Sequence, residues 1–166
     1  MEKQAVRGVI FDLDGTLVHI TVDFRLMKRK LYEVFIEEGI PANLLDESET
    51  MSRSLARIRQ YVIENGDAGD MERVGAAVTR SMNGTEMEGV SGTTAIEGAL
   101  ECLRSLQEKG IRLGLLTRGS RAYAEAALQN AGIDIPFNAM VCRDDHPEEE
   151  AKPNGKALER TMALME

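Results

Sequence analysis

Several short stretches of this 166-residue chain carry side chains that could do chemistry. In Gly8-Val9-Ile10-Phe11-Asp12-Leu13-Asp14-Gly15-Thr16-Leu17, an apolar run stops abruptly in two carboxylates and a glycine. Residues two apart in an extended segment share a face, so Asp12 and Asp14 leave the run on one side. Two acids on one rim invite a cation, and they can divide the roles of nucleophile and general acid. Further on, Thr117-Arg118-Gly119-Ser120 follows a second apolar run. A small hydroxyl with backbone N–H groups beside it is an arrangement suited to phosphate, with Arg118 next in line to contact it. Near the end, Ala151-Lys152-Pro153 follows the acidic Glu148-Glu149-Glu150 and supplies a cation.

Simpler explanations exist for each stretch. Acids and glycine are ordinary turn formers, Thr ends many strands, and a surface Lys often precedes a helix with Pro in its first turn. A helical calcium loop is ruled out for the first stretch. Such a loop wants Gly at about its sixth position and Glu at about its twelfth. Counted from Asp12 these positions hold Leu17 and Asp23.

The elements that must position these residues can be read from periodicity. Val6–Phe11 is short, β-branched and aromatic, which predicts a strand covered on both faces. Ile111–Leu116 predicts a second strand and Phe137–Cys142 a third. Between the first strand and the rest, apolar residues recur at helical spacing in three groups. These are Phe24, Met27, Leu31 and Val34, ended by Gly39-Ile40-Pro41; Met51, Leu55, Ile58 and Val62, ended near Asn65-Gly66; and Met71, Val74, Val78 and Met82, ended by Asn83-Gly84. Ser91-Gly92-Thr93-Thr94 reads as a return linker. Ile96 to Leu106 forms a helix ended by Lys109-Gly110, Ser120 caps the next, and Leu158, Met162 and Met165 mark the last. Strands alternating with helices imply a parallel sheet with right-handed crossovers, whose ligands bind at the carboxyl ends of the strands. Asp12, Asp14, Thr117 and Lys152 all fall at or just beyond such ends.

Phe-Asp-Leu-Asp-Gly-Thr-Leu behind an apolar strand resembles the first motif of the haloacid dehalogenase (HAD) superfamily, in its phosphatase branch. Thr117 after a strand is similar to the second motif, and Lys152-Pro153 after an acidic loop to the third. The nearest group is phosphoglycolate-phosphatase-like. The resemblance implies an α/β fold, a Rossmann-like parallel sheet core with an inserted helical cap. The core would be residues 1–19 and 91–166, and the cap residues 20–90, closing over the site and carrying substrate selectivity. It implies Asp12 as nucleophile and Asp14 as acid/base. Thr117, Arg118 and Lys152 would hold phosphate, with Mg²⁺ bound by the Asp12 carboxylate and the main-chain carbonyl of Asp14. An Asp at 14, where dehalogenases of the family carry Tyr and ion-pumping ATPases Thr, argues for phosphomonoester chemistry on a small phosphorylated metabolite. A phosphomutase keeps the same motifs. A non-catalytic phosphate-binding or interaction protein is the alternative from another class.

The family's fourth motif, Gly-Asp followed by another Asp at the end of a further strand, has no counterpart before Glu166. Asp144 and Asp145 end a different strand. The expectation is that the natural product continues past Glu166, or that another element or a subunit shields an open edge of the first strand, through which self-association would run. The 166-residue form should then bind Mg²⁺ poorly.

Composition sets the outer bounds. Hydrophobic residues are 43% and charged residues 29%, which fits a globular chain rather than a disordered one. A net charge of -8 argues against nucleic acid and anionic membrane as partners, so an anionic substrate needs local attraction. Cys102 and Cys142 lie in apolar settings without a CxxC spacing, and no apolar run approaches membrane-spanning length. Reduced thiols and a cytoplasmic location are expected. The basic residues Arg25, Lys28, Arg29, Lys30, Arg53, Arg57 and Arg59 are expected mostly on solvated helix faces, and His19 as a partly buried histidine near the first motif.

Overall fold

A computed structural model describes residues 5–166. The chain divides into two compact units, one made of Met1–Val22 with Glu86–Glu166, the other of Asp23–Thr85. The first is α/β. Its sheet has strands β1 (Gly8–Phe11), β2 (Arg112–Leu116) and β3 (Ala139–Val141) in the order β1-β2-β3, both pairs parallel. Phe11 lies opposite Leu115, and Leu116 opposite Val141, so the carboxyl ends of all three strands meet at one rim.

The strands are shorter than the apolar runs that encode them, and they differ in burial. From Leu113 onward β2 is buried, because it has a neighbour on each side. β1 is only partly buried and Gly8 is exposed, so the expected cover on both faces is not what the described residues provide. With β2 alone beside it, β1 is an outer strand of the described sheet. Helices α4 (Ala99–Glu108), α5 (Arg121–Asn130) and α6 (Gly155–Leu164) complete this unit, burying Leu103, Tyr123, Leu128 and Ala157. Ser120 caps α5 by accepting from Tyr123 N–H, as its position before an apolar run predicts.

The second unit is helical. It holds α1 (Phe24–Glu37), α2 (Met51–Asn65) and most of α3 (Ala68–Gly89). Asp23 caps α1 and Thr50 caps α2. Met27 and Leu31 on α1 and Ile58 and Val62 on α2 are buried at the predicted spacing, whereas Phe24 is half exposed and Phe35 rather than Val34 completes the buried face of α1. The third helix is longer than its apolar repeat at both ends. It starts earlier because Asp67 and Asp70 exchange backbone N–H bonds at 3.0 and 3.1 Å, a reciprocal cap. It runs through Asn83-Gly84, a pair whose turn signal predicts a stop there. A glycine inside a helix costs only about 1 kcal/mol relative to Ala. The helix runs on to Gly89, with Met82 buried before Gly84 and Thr85 and Glu86 after it. Among the described residues no helix is long and apolar enough to cross a membrane.

Candidate active site

β1 ends at Phe11, and the backbone turns at once. Leu17 and Val18 N–H both bond back to Leu13 C=O, and Gly15 N–H to Val18 C=O. Gly15 sits at φ +76°, in the left-handed region where a Cβ would be strained. Leu13 points into the core with no exposure, so Asp12 and Asp14 on either side of it emerge together, as alternation requires.

Their surroundings differ. Asp12 is exposed. Its Oδ1 accepts from Leu13 N–H at 2.9 Å and from Lys152 Nζ at 2.6 Å. The same Nζ donates to the carbonyl of Leu116, the last residue of β2, at 2.8 Å. One ammonium therefore ties the ends of β1 and β2 together across 140 positions of sequence. An exposed ion pair of this kind contributes only about 0–1 kcal/mol to stability, so stability is a poor account of so exact a placement. Lys152 precedes a cis peptide bond to Pro153, and Asn154 then caps α6.

Asp14 is partly buried, and its Oδ1 accepts from the Tyr123 hydroxyl at 2.6 Å. Burial pushes its carboxyl above the usual range; Tyr123 and the more distant Lys152 act against this, while the charges of Asp12 and Glu86 add to it. Burial likewise raises the Tyr123 hydroxyl, further helped by its bond to Asp14. Tyr123 therefore stays a neutral donor.

Thr117 is buried directly after β2. Its Oγ1 accepts from Gly119 N–H at 3.0 Å, closing the turn that leads to Ser120 and α5. A Cβ on Gly119 would stand 2.8 Å from the Tyr123 ring, so only glycine lets that ring pass on its way to Asp14. Arg118 is exposed, and its guanidinium faces Glu148 at 3.6 Å. The predicted residues thus fall into three groups: Asp12 with Lys152 in direct contact, Asp14 on Tyr123, and Thr117 within its own turn.

Two further residues brace that turn. Glu86, only 3% exposed, pairs with Arg143 through both carboxylate oxygens and accepts from Ser120 N–H at 3.2 Å. Tyr123, Glu86 and Arg143 are the residues a reading of sequence misses. The bonds that matter span 109 positions for Tyr123 and 57 for Glu86, and no local pattern announces them.

Asp144 and Asp145 are engaged elsewhere. Asp144 accepts from Arg121 N–H at the start of α5. Asp145 accepts from the Arg121 guanidinium at 2.6 Å and from Cys142 N–H. His19 is exposed rather than partly buried, because it lies where the chain leaves the turn, with its N–H bonded to Thr94 C=O. Burial pushes the Cys142 thiol up to about 12, whereas Cys102 is exposed.

The donor set bears on a metal. Among the described residues no group of three or more His, Cys, Asp or Glu forms a ready cage. Small hard cations such as Mg²⁺ do not need one; they take one or two carboxylates together with water and phosphate oxygens. The Asp12 carboxylate and the main-chain carbonyl of Asp14, hard oxygen donors two residues apart on the turn that follows β1, fit that mode.

Compared with known proteins, residues 6–166 match the model of the haloacid dehalogenase-like hydrolases. The chain belongs to this family. Among curated HAD-like relatives, the phosphoglycolate phosphatase of Cereibacter sphaeroides is 30% identical over 159 residues, 95% of this chain and 71% of that protein. The pyrophosphatase PpaX of Halalkalibacterium halodurans is 27% identical over 173 residues, 95% of this chain and 68% of that one. Among solved structures, a HAD-like hydrolase from Bacteroides fragilis superposes with a TM-score of 0.58 at 18% identity, covering 96% of this chain and 72% of that one. CbbY from Rhodobacter sphaeroides, crystallised with phosphate, gives 0.57 at 20% identity, covering 96% and 72%. At such identities the structures speak for the fold, the α/β architecture described above.

Proposed function

We propose that this HAD-like hydrolase is a phosphatase that cleaves a small phosphomonoester through an aspartyl-phosphate on Asp12. The observation that carries the reading is Lys152 Nζ, set at once on the Asp12 carboxylate and on the carbonyl that ends β2. Relatives named as phosphoglycolate phosphatase and pyrophosphatase support it at the level of substrate class.

Asp12 Oδ1 is occupied by Leu13 N–H and Lys152, which leaves Oδ2 to attack phosphorus. As the P–O ester bond breaks, Asp14 gives its proton to the departing alkoxide. Tyr123 holds Asp14 Oδ1, so the proton is carried on Oδ2, and burial of the carboxyl favours the protonated form this step needs. Asp14, now ionised, takes a proton from water, whose oxygen attacks the phosphoryl group and returns Asp12 as a carboxylate. Lys152 offsets the negative charge that collects when a phosphate meets Asp12, and the Thr117 turn receives the phosphoryl oxygens. Arg118, which also faces Glu148, would join them. The Asp12 carboxylate and the main-chain carbonyl of Asp14 would hold Mg²⁺, which would supply further charge neutralisation. Most of the acceleration of phosphoryl transfer comes from such positioning and electrostatics.

The helical unit Asp23–Thr85 is read as the cap that selects substrate. The chemistry is tested with a generic aryl phosphate, assayed with Mg²⁺ and again with EDTA. Turnover in the first and none in the second is expected. No turnover in either would sink the phosphatase reading.

A further inference from the structure

Glu86 stands out among the charged groups that the proposed reaction does not use. It is the first residue of the compact α/β unit after the helical insertion, it is 3% exposed, and its partner is the nearly buried Arg143. Both carboxylate oxygens are engaged by both terminal nitrogens of the guanidinium, Nη2 to Oε2 at 3.0 Å. A buried pair is costly to desolvate and a weak source of net stability. It also gives a planar, two-point geometry that few other contacts match.

That geometry is spent on one short turn. Arg143 Nη1 donates to the Arg118 carbonyl at 3.1 Å, and Arg143 N–H donates to the Gly119 carbonyl at 3.0 Å. Glu86 Oε2 takes the Ser120 N–H at 3.2 Å. In a planar trans peptide the C=O and the following N–H point in opposite directions. Pinning the Arg118 carbonyl therefore turns Gly119 N–H away from Arg143, onto Thr117 Oγ1, where it is found. Pinning the Gly119 carbonyl turns Ser120 N–H toward Glu86. The first of these two consecutive peptide planes is thus held by Arg143 Nη1, and the second by Glu86 Oε2 together with the Arg143 backbone N–H, immediately after the buried Thr117.

We propose that the Glu86–Arg143 ion pair is the positioning device of the Thr117–Ser120 turn, and that it sets how tightly the turn receives a phosphoryl group. The inference rests on reading that turn as the phosphate-binding one. Glu86 and Arg143 are positioning residues; neither is assigned contact with substrate. The pair gives the turn its shape before substrate arrives, so no ordering cost falls on the binding step.

The test uses the whole chain with inorganic phosphate as the probe. Glu86→Gln keeps the side chain's shape and loses its charge; Arg143→Lys keeps charge and loses the fork. The double variant Glu86→Gln/Arg143→Gln leaves no unpaired buried charge, so it keeps the question answerable if a single variant does not fold. Each folded variant, checked by circular dichroism, should raise the inhibition constant of inorganic phosphate and the KM for an aryl phosphate by roughly tenfold or more. A purely structural role would lower only the active fraction, reducing kcat while leaving both constants in place, and that result overturns the proposal. In the unmodified chain, the backbone amide signals of Gly119 and Ser120 should move on titration with inorganic phosphate; unmoved signals overturn it as well. Phosphate binding with those shifts but without turnover would leave the positioning role standing and refute the phosphatase reading separately.

Discussion

The two compact units use polar groups in different ways. In Asp23–Thr85 the hydrogen bonds and ion pairs are mostly local or exposed. Asp46 accepts from Ser48, Arg73 pairs with Asp70 three residues away and with Glu38, and Lys28 and Tyr32 donate to backbone carbonyls of the Asp46–Glu49 loop. In the α/β unit the bonds at the strand ends join distant parts of the chain: Lys152 to Asp12, Tyr123 to Asp14, Arg143 to Glu86. Local bonds cap helices and close loops, and their removal costs tenths to about 2 kcal/mol. Long-range bonds around partly buried acids set relative positions, on which a reaction depends far more steeply.

The sharpest way to break this contrast is Asp12→Asn. Loss of the nucleophile should abolish turnover, and phosphoenzyme should no longer be trapped by acid quench. More than trace activity in a metal-dependent assay would remove Asp12 from its proposed role. Asp14→Asn should fall next, by about 10²- to 10⁴-fold in kcat, with phosphate binding retained; equal loss of binding would show that Asp14 holds ligand rather than moving a proton.

Removing Asp23–Thr85 and bridging with a Gly/Ser linker should leave a folded α/β unit with altered substrate preference, since Asp12, Asp14, Thr117 and Lys152 all lie outside that span. An unfolded product by circular dichroism would make the helices part of one core. Tyr123→Phe is smaller. It deletes the hydrogen bond from the Tyr123 hydroxyl to the Asp14 carboxyl, worth about 0.5–1.5 kcal/mol net. Thermal melting should register the loss; an unchanged Tm with unchanged kcat would show that the bond organises nothing.

The smallest effect separates two acids. Glu150 is held below the usual carboxylate range by Arg160 and Lys156, and Asp46 by the hydroxyl and N–H of Ser48. Both contribute stability at neutral pH that is lost as pH falls through their lowered folded values. Salt screens ion pairs. In 1 M NaCl the carboxyl titration of Glu150, followed by NMR, should move back toward its ordinary range while that of Asp46 stays put. Equal movement would mean the Ser48 bonds are not what lowers Asp46.

Much of this molecule was decided by sequence alone. The Asp12-Leu13-Asp14-Gly15 stop after an apolar run, the Thr117 turn and Lys152-Pro153 are local patterns whose order implies a parallel sheet with its site at the carboxyl ends. Periodicity placed α1 and α2 because their apolar stripes face one way. The Asn83-Gly84 signal predicts an end to α3 that the helix does not take, since it runs on to Gly89. Arg118 is next to Thr117 in sequence, and the Glu148 carboxylate that its guanidinium faces lies thirty positions away. Only tertiary structure could pair Tyr123 with Asp14 and Glu86 with Arg143. A hydrogen bond forms between atoms about 3 Å apart in space, and sequence spacing reports distance in space only within a helix, strand or turn; once the chain folds back on itself, the partner of a buried acid is settled by packing.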